Sequence, residues 1–65
     1  MSKIAANVKR LRARRQLTQH ELAKKARVAL VTVGRIEAEM QKNPDLLTLK
    51  KLAKALGVQV TELLD

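Results

Sequence analysis

The sequence predicts an all-α domain, and three observations predict it. Apolar residues recur at every third or fourth position through most of the chain, the run Thr18, Gln19, His20, Glu21 spells a helix start, and Gly57 stands where a long amphipathic run stops. With 65 residues there is room for a single domain, 1–65, without internal repeat or linker. A chain this short buries only about 60% of the surface its unfolded form exposes, so its core has to be regular. No cysteine is present to staple it or to hold zinc. Helix packing must therefore supply the stability.

Taken in order, Ile4, Val8 and Leu11 place one apolar stripe on a first helix of about 4–15, with lysine and arginine on its other faces. Thr18 caps a second helix of about 18–26, with Glu21 reaching back to it and Leu17 stapling onto Leu22. The apolar phase breaks at Arg27 and Val28. It resumes in a third helix of about 29–38 that carries Val33 and Ile36 inward. A polar stretch from Glu39 to Asp45 holds the one proline, Pro44, and reads as a loop in which Asn43 or Asp45 caps the next helix. Leu46, Leu49, Leu52, Ala53 and Leu56 outline that fourth helix, of about 46–56, closed by Gly57 in a left-handed cap with Val58 as its apolar contact. Thr61 is placed to cap a last turn of about 61–64.

Charge narrows the function. The chain carries a net +8, and before Glu21 it holds Lys3, Lys9, Arg10, Arg12, Arg14 and Arg15 with no carboxylate. Such a field attracts polyanions. The absence of Phe, Tyr and Trp removes the stacking platforms on which single-stranded nucleic acid is usually held, which points to a duplex. No apolar run approaches the roughly 20 residues of a membrane span, so a soluble, unexported protein is expected. One histidine, His20, without cysteine or a second histidine makes no transition-metal site, and no nucleophile, base and orienting carboxylate can be assembled. An enzyme, a cofactor, a small-molecule substrate and a membrane partner are not expected.

Across the second and third helices, Leu22, Ala26, Val28, Val33 and Ile36 face inward, and small Ala23 sits where two helices joined by a tight turn must approach closely. That is a helix-turn-helix. Through Gln19-His20-Glu21-Leu22-Ala23, Arg35-Ile36-Glu37 and Leu49-Lys50-Lys51-Leu52-Ala53-Lys54-Ala55-Leu56-Gly57-Val58, the chain resembles the phage repressor and Cro-like (XRE-type) family of bacterial regulators over nearly its whole length.

The resemblance implies a five-helix bundle of the lambda-repressor-like type that binds double-stranded DNA, with the third helix in the major groove and the second across the backbone. It implies that Ala29, Leu30, Val31, Thr32 and Arg35 face the groove, that Gln19, Lys42 and Asn43 contact the DNA backbone, and that Arg12 and Glu37 form a structural ion pair. The chain departs from the family at the turn, where Arg27 stands at a position that prefers glycine. It departs again at the start of the third helix, where Ala29 replaces a capping Ser or Thr. Gly34 lies mid-helix, where it lets the backbone approach a partner closely.

Leu30 and Val31 replace polar base readers. Three readings stand for them: contact with thymine methyl groups, a protein interface, or simple packing at the edge of the core. Arg35 can bond a guanine edge, neutralise a phosphate or pair with Glu39 one turn on. Leu46, Leu47, Leu63 and Leu64 exceed what so small a core needs and are expected at a homodimer interface. The expected function is a transcriptional repressor of the bacterial cytoplasm, at the nucleoid, bound as a dimer to an inverted repeat; the alternative is a protein-interaction module on the same fold, such as an antitoxin component or anti-regulator.

Overall fold

The computed structural model describes residues 3–65 and contains α1 (Lys3–Arg14), α2 (Gln19–Ala26), α3 (Leu30–Glu37), α4 (Leu46–Leu56) and α5 (Thr61–Leu64), with no strand among the described residues. The expected boundaries hold to within a residue, the usual scatter at frayed or capped ends. The second helix packs on both α3 and α4, while α1 lies against α3, α4 and α5. Between them Val8, Leu22, Val33, Ile36, Leu52, Leu56 and Leu63 are all but fully buried. Each such side chain contributes about 1.5–3 kcal/mol on burial, and this aliphatic centre supplies the cohesion that two helices of eight residues lack by themselves.

Helix starts follow the side chains. Thr18 Oγ1 accepts the Glu21 N–H at 3.0 Å, and Glu21 Oε1 accepts the Thr18 N–H at 2.8 Å, a reciprocal capping box. At α4 the choice between Asn43 and Asp45 falls on Asp45, whose Oδ1 accepts the Thr48 N–H at 2.7 Å. Ala29 leaves α3 without a side-chain cap. The last turn departs from expectation. Thr61 is not a cap but the first residue of α5, because Val60 is already helical and packed against the core; the Glu62 carboxylate takes the capping role by accepting the Gln59 N–H at 2.9 Å.

Four helices end in the same way. Residues Gln16, Arg27, Glu39 and Gly57 adopt left-handed backbone with φ of 57°, 59°, 62° and 72°, and the next N–H returns to the carbonyl five residues back: Leu17 to Arg12, Val28 to Ala23, Met40 to Arg35 and Val58 to Ala53. This is the Schellman motif, which satisfies carbonyls that a helix end would otherwise orphan. Only the last uses glycine, over which the Arg15 guanidinium lies. At the other three an L-residue carries a left-handed penalty of about 1–2 kcal/mol.

Two polar ties run through the aliphatic interior. Arg12 Nε and Nη2 donate to the two carboxylate oxygens of Glu37 at 2.7 and 2.9 Å, joining α1 to the last turn of α3, and Arg12 Nη1 donates to the Leu17 carbonyl at 2.8 Å. Asn7, buried on α1, donates from Nδ2 to the Leu63 carbonyl at 3.0 Å and accepts from Arg10 Nη2 at 3.3 Å, which fastens α5. Among the described residues no buried side-chain nitrogen or oxygen lacks a partner. Burial pushes the Glu37 carboxyl up, but hydrogen bonds from Arg12 and Gln19, helped by the charges of Arg12 and Lys9, outweigh it and hold the group below its ordinary range. The hydrogen bond to Glu37 raises Arg12 in turn, against its own partial burial.

Glu37→Ala is expected to destabilise by about 2–3 kcal/mol, less than the 3–5 kcal/mol for a wholly buried pair because the Arg12 side chain keeps a route to water. A double-mutant cycle with Arg12→Ala in urea checks it; additive losses would mean that the pair does not couple. The backbone and side-chain bonds of Thr18 lower Glu21, and bonds from the Thr48 side chain and N–H lower Asp45, so three carboxyls have folded values below their unfolded ones, which lie near 4. Their contribution is complete above that unfolded value and is lost as pH falls through the depressed folded values. Urea midpoints should thus hold steady down to roughly pH 5 and decline below about pH 4, with a shallower decline in Glu37→Gln. Parallel pH profiles for the two proteins would remove Glu37 as a source. Gln16→Gly is expected to raise stability by about 0.5–1 kcal/mol, the left-handed penalty less the greater chain entropy of glycine. A thermal melt should show the midpoint rising by a few degrees, and a fall would contradict the strain at that position.

Candidate nucleic-acid interface

The geometry of α3 follows from its tie to the rest. Val33, Ile36 and Glu37 are buried on its inner side, and a turn of about 100° per residue then carries Val31 and Arg35 to the outer one, while Leu30, seven positions before Glu37 and so on nearly the same side as it, is exposed at the helix start. Leu30 is 46% exposed and Val31 55%, Arg35 and Ala29 are exposed, and Thr32 is half-buried. None of the five groove-facing candidates is swallowed by the core. With Ala29 in extended backbone and no side chain on the first-turn N–H groups, the start of the helix is open.

Exposed cations stand on the following loop and on α1. Lys42 and Asn43 are exposed in the loop that follows α3, and α1 exposes Lys3, Lys9, Arg10 and Arg14. Met40, 76% exposed, adds an apolar side chain to the same loop. Pro44 is buried beside Asp45, so the loop is anchored at its far end where α4 is capped.

Gln19 occupies a different position from the purely outward one expected of it. Half-buried at the first position of α2, it donates from Nε2 to Glu37 Oε1 at 3.1 Å, and its Oε1 lies over Gly34. One of its two amide hydrogens is therefore committed to the Arg12–Glu37 tie and the other is not. Gly34 does not need to be glycine within the folded chain: a Cβ there would stand 3.8 Å from Gln19 Oε1, an ordinary contact.

The apolar residues expected at a dimer interface divide. Leu63 is fully buried as part of the core beneath α1, because Asn7 holds its carbonyl and draws α5 inward, so it is not open to a partner. Leu46, Leu47 and Leu64 are 58%, 62% and 46% exposed. Among the described residues no group of three His, Asp or Glu stands close enough to hold a metal ion, and no helix is long and apolar enough to cross a membrane.

Sequence reasoning missed Asn7 and the Gln19–Glu37 bond. Asn7 left a trace as the one polar residue three positions from Ile4 on the apolar stripe; the reach of Gln19 across two helices left none.

A family model described as helix-turn-helix matches residues 8–63. The chain is also 40% identical over 58 residues to the immunity repressor protein of Bacillus phage phi105, an alignment that covers 89% of this chain and 40% of that relative, so the chain spans less than half the relative's length. No solved structure matches it. With a match running from the middle of α1 to the end of the core, the chain belongs to the helix-turn-helix family, of the phage-repressor type.

Proposed function

We propose that this chain binds double-stranded DNA as a transcriptional repressor and performs no chemistry of its own. The observation that carries the reading is α3, where Ala29, Leu30, Val31 and Arg35 are exposed and Thr32 is half-buried, on a chain of net charge +8. Family membership supports the placement of such a helix in a major groove, and the name of the phage relative supports repression.

Each residue then has a role. The basic face of α1 supplies long-range attraction. Lys42, Asn43 and the uncommitted amide hydrogen of Gln19 engage phosphates and fix register. Arg35 bonds a guanine edge, Thr32 a base or phosphate, and Leu30 and Val31 meet thymine methyl groups, the one apolar feature of the major groove. Leu46, Leu47 and Leu64 pair two copies about a two-fold axis, which sets two recognition helices roughly 34 Å apart on an inverted repeat. Repression follows from occupancy, on the DNA of the bacterial nucleoid. The exposure of Leu30 and Val31 also favours a second reading, in which α3 meets a protein rather than a duplex.

Selection of duplexes from a random pool at physiological salt tests the proposal. A T-rich dyad is expected, and recovery of no preferred sequence would favour the protein-binding reading. On the selected site, affinity should fall with salt at a slope of about 0.9 per neutralised phosphate. Arg35→Ala should weaken the site by about 1–3 kcal/mol while sparing unrelated DNA; equal losses on all duplexes would make Arg35 a phosphate contact. Leu30→Lys should destroy the preference for the site while leaving general affinity intact or higher. Sedimentation equilibrium at high micromolar concentration should find a dimer that Leu47→Glu dissociates, and a monomeric wild-type chain would remove the two-fold arrangement.

A further inference from the structure

The DNA reading leaves one strongly charged surface unused. Lys25 and Arg27, at the end of α2, and Lys51 and Lys54, on α4, line an open groove of about 690 Å³ with Ala26 and Ala55 at its base. All four cations are exposed and both alanines are buried, so charged groups rim an apolar floor. No carboxylate lines the groove; Asp45, at the start of α4, is the acidic group whose charge interacts with Lys51. Helix dipoles account for Lys25 and Lys54, each in a last turn, and for Arg27 at the C-cap of α2, but not for Lys51 in mid-helix. Four like charges around one cleft sum to a local positive potential that favours an anionic occupant, most strongly at low salt.

Position and chemistry select the occupant. The groove is lined by residues of α2, its C-cap and α4 and by none of α3, so a duplex held by α3 does not need this surface. A phosphodiester backbone would use the cations and leave the alanine floor unfilled. A peptide carrying Asp or Glu on either side of an apolar side chain would use both. We propose that the α2–α4 groove docks an acidic segment of a partner protein, with an apolar side chain seated on Ala26 and Ala55 and its flanking carboxylates paired to Lys25, Arg27, Lys51 and Lys54. The docking does not depend on what α3 binds, and both surfaces can be occupied at once.

The test uses a fluorescently labelled synthetic peptide of repeating Glu-Glu-Leu units and the intact chain. Lys51→Glu with Lys54→Glu should weaken peptide binding by about tenfold or more. Lys3→Glu with Lys50→Glu, exposed positions outside the groove that lower the net charge equally, should weaken it by less than about threefold. Replacing Leu by Ser in the peptide should weaken it several-fold. The milder Lys51→Gln with Lys54→Gln should give an intermediate loss, and all variants should keep the helical signal and melting transition of the parent. Wild-type chain that fails to bind the peptide, equal losses in the two Glu pairs, or indifference to the Leu replacement would overturn the proposal. So would a fall of about two in the salt slope of duplex binding in Lys51→Glu with Lys54→Glu, which would assign the groove to phosphates.

Discussion

The contact on which the structure turns is the fork of hydrogen bonds between Arg12 and Glu37. A carboxylate all but removed from water is tolerable only if both its oxygens have donors, and here Arg12 supplies two hydrogen bonds and Gln19 a third. Three helices and one turn converge on the pair, since the same guanidinium also takes up the Leu17 carbonyl between α1 and α2. Hydrophobic burial would hold α3 against the rest in more than one rotation, whereas a bidentate pair at its last turn admits one. The outward direction of Val31 and Arg35 is thus set from the inside of the molecule, by a pair of charges beneath the helix.

Short helices make that internal control necessary. An isolated eight-residue helix has too few hydrogen bonds to offset its nucleation, so α2 and α3 exist because their ends are closed and their inner faces are covered. The turn between them is closed by the Val28 N–H on the Ala23 carbonyl, with Arg27 held in a conformation that glycine would enter freely. The chain accepts strain at three such corners in return for tight reversals that keep five helices around one centre.

Much of this was written in the sequence in periodic or paired form. The stripe Val33, Ile36, Glu37 and the positions of Ala29, Leu30, Val31, Thr32 and Arg35 around it follow from helical spacing, and the capping box of Thr18 and Glu21 is a local signal that needs no tertiary information. Four features were not legible. Leu63 and Leu64 are neighbours of one type, and only the packing of α5 on the rest of the core shows which turns inward. Gln19 bonds a residue 18 positions away, a distance at which side-chain identity carries no directional information. Left-handed backbone at Gln16 and Glu39 has no glycine to announce it, because it is imposed by the path of the chain rather than preferred by the residue. The groove between α2 and α4 joins charges from two segments that only the fold brings side by side.

The absence of Phe, Tyr and Trp has an optical consequence. No phenyl, phenol or indole ring is present, so the folded molecule is dark in the near ultraviolet and offers no intrinsic fluorophore. A single indole introduced on the outer side of α3, or beside the floor between α2 and α4, would be the sole emitter in the chain. Its colour and polarisation would report occupancy of that one surface against a silent background.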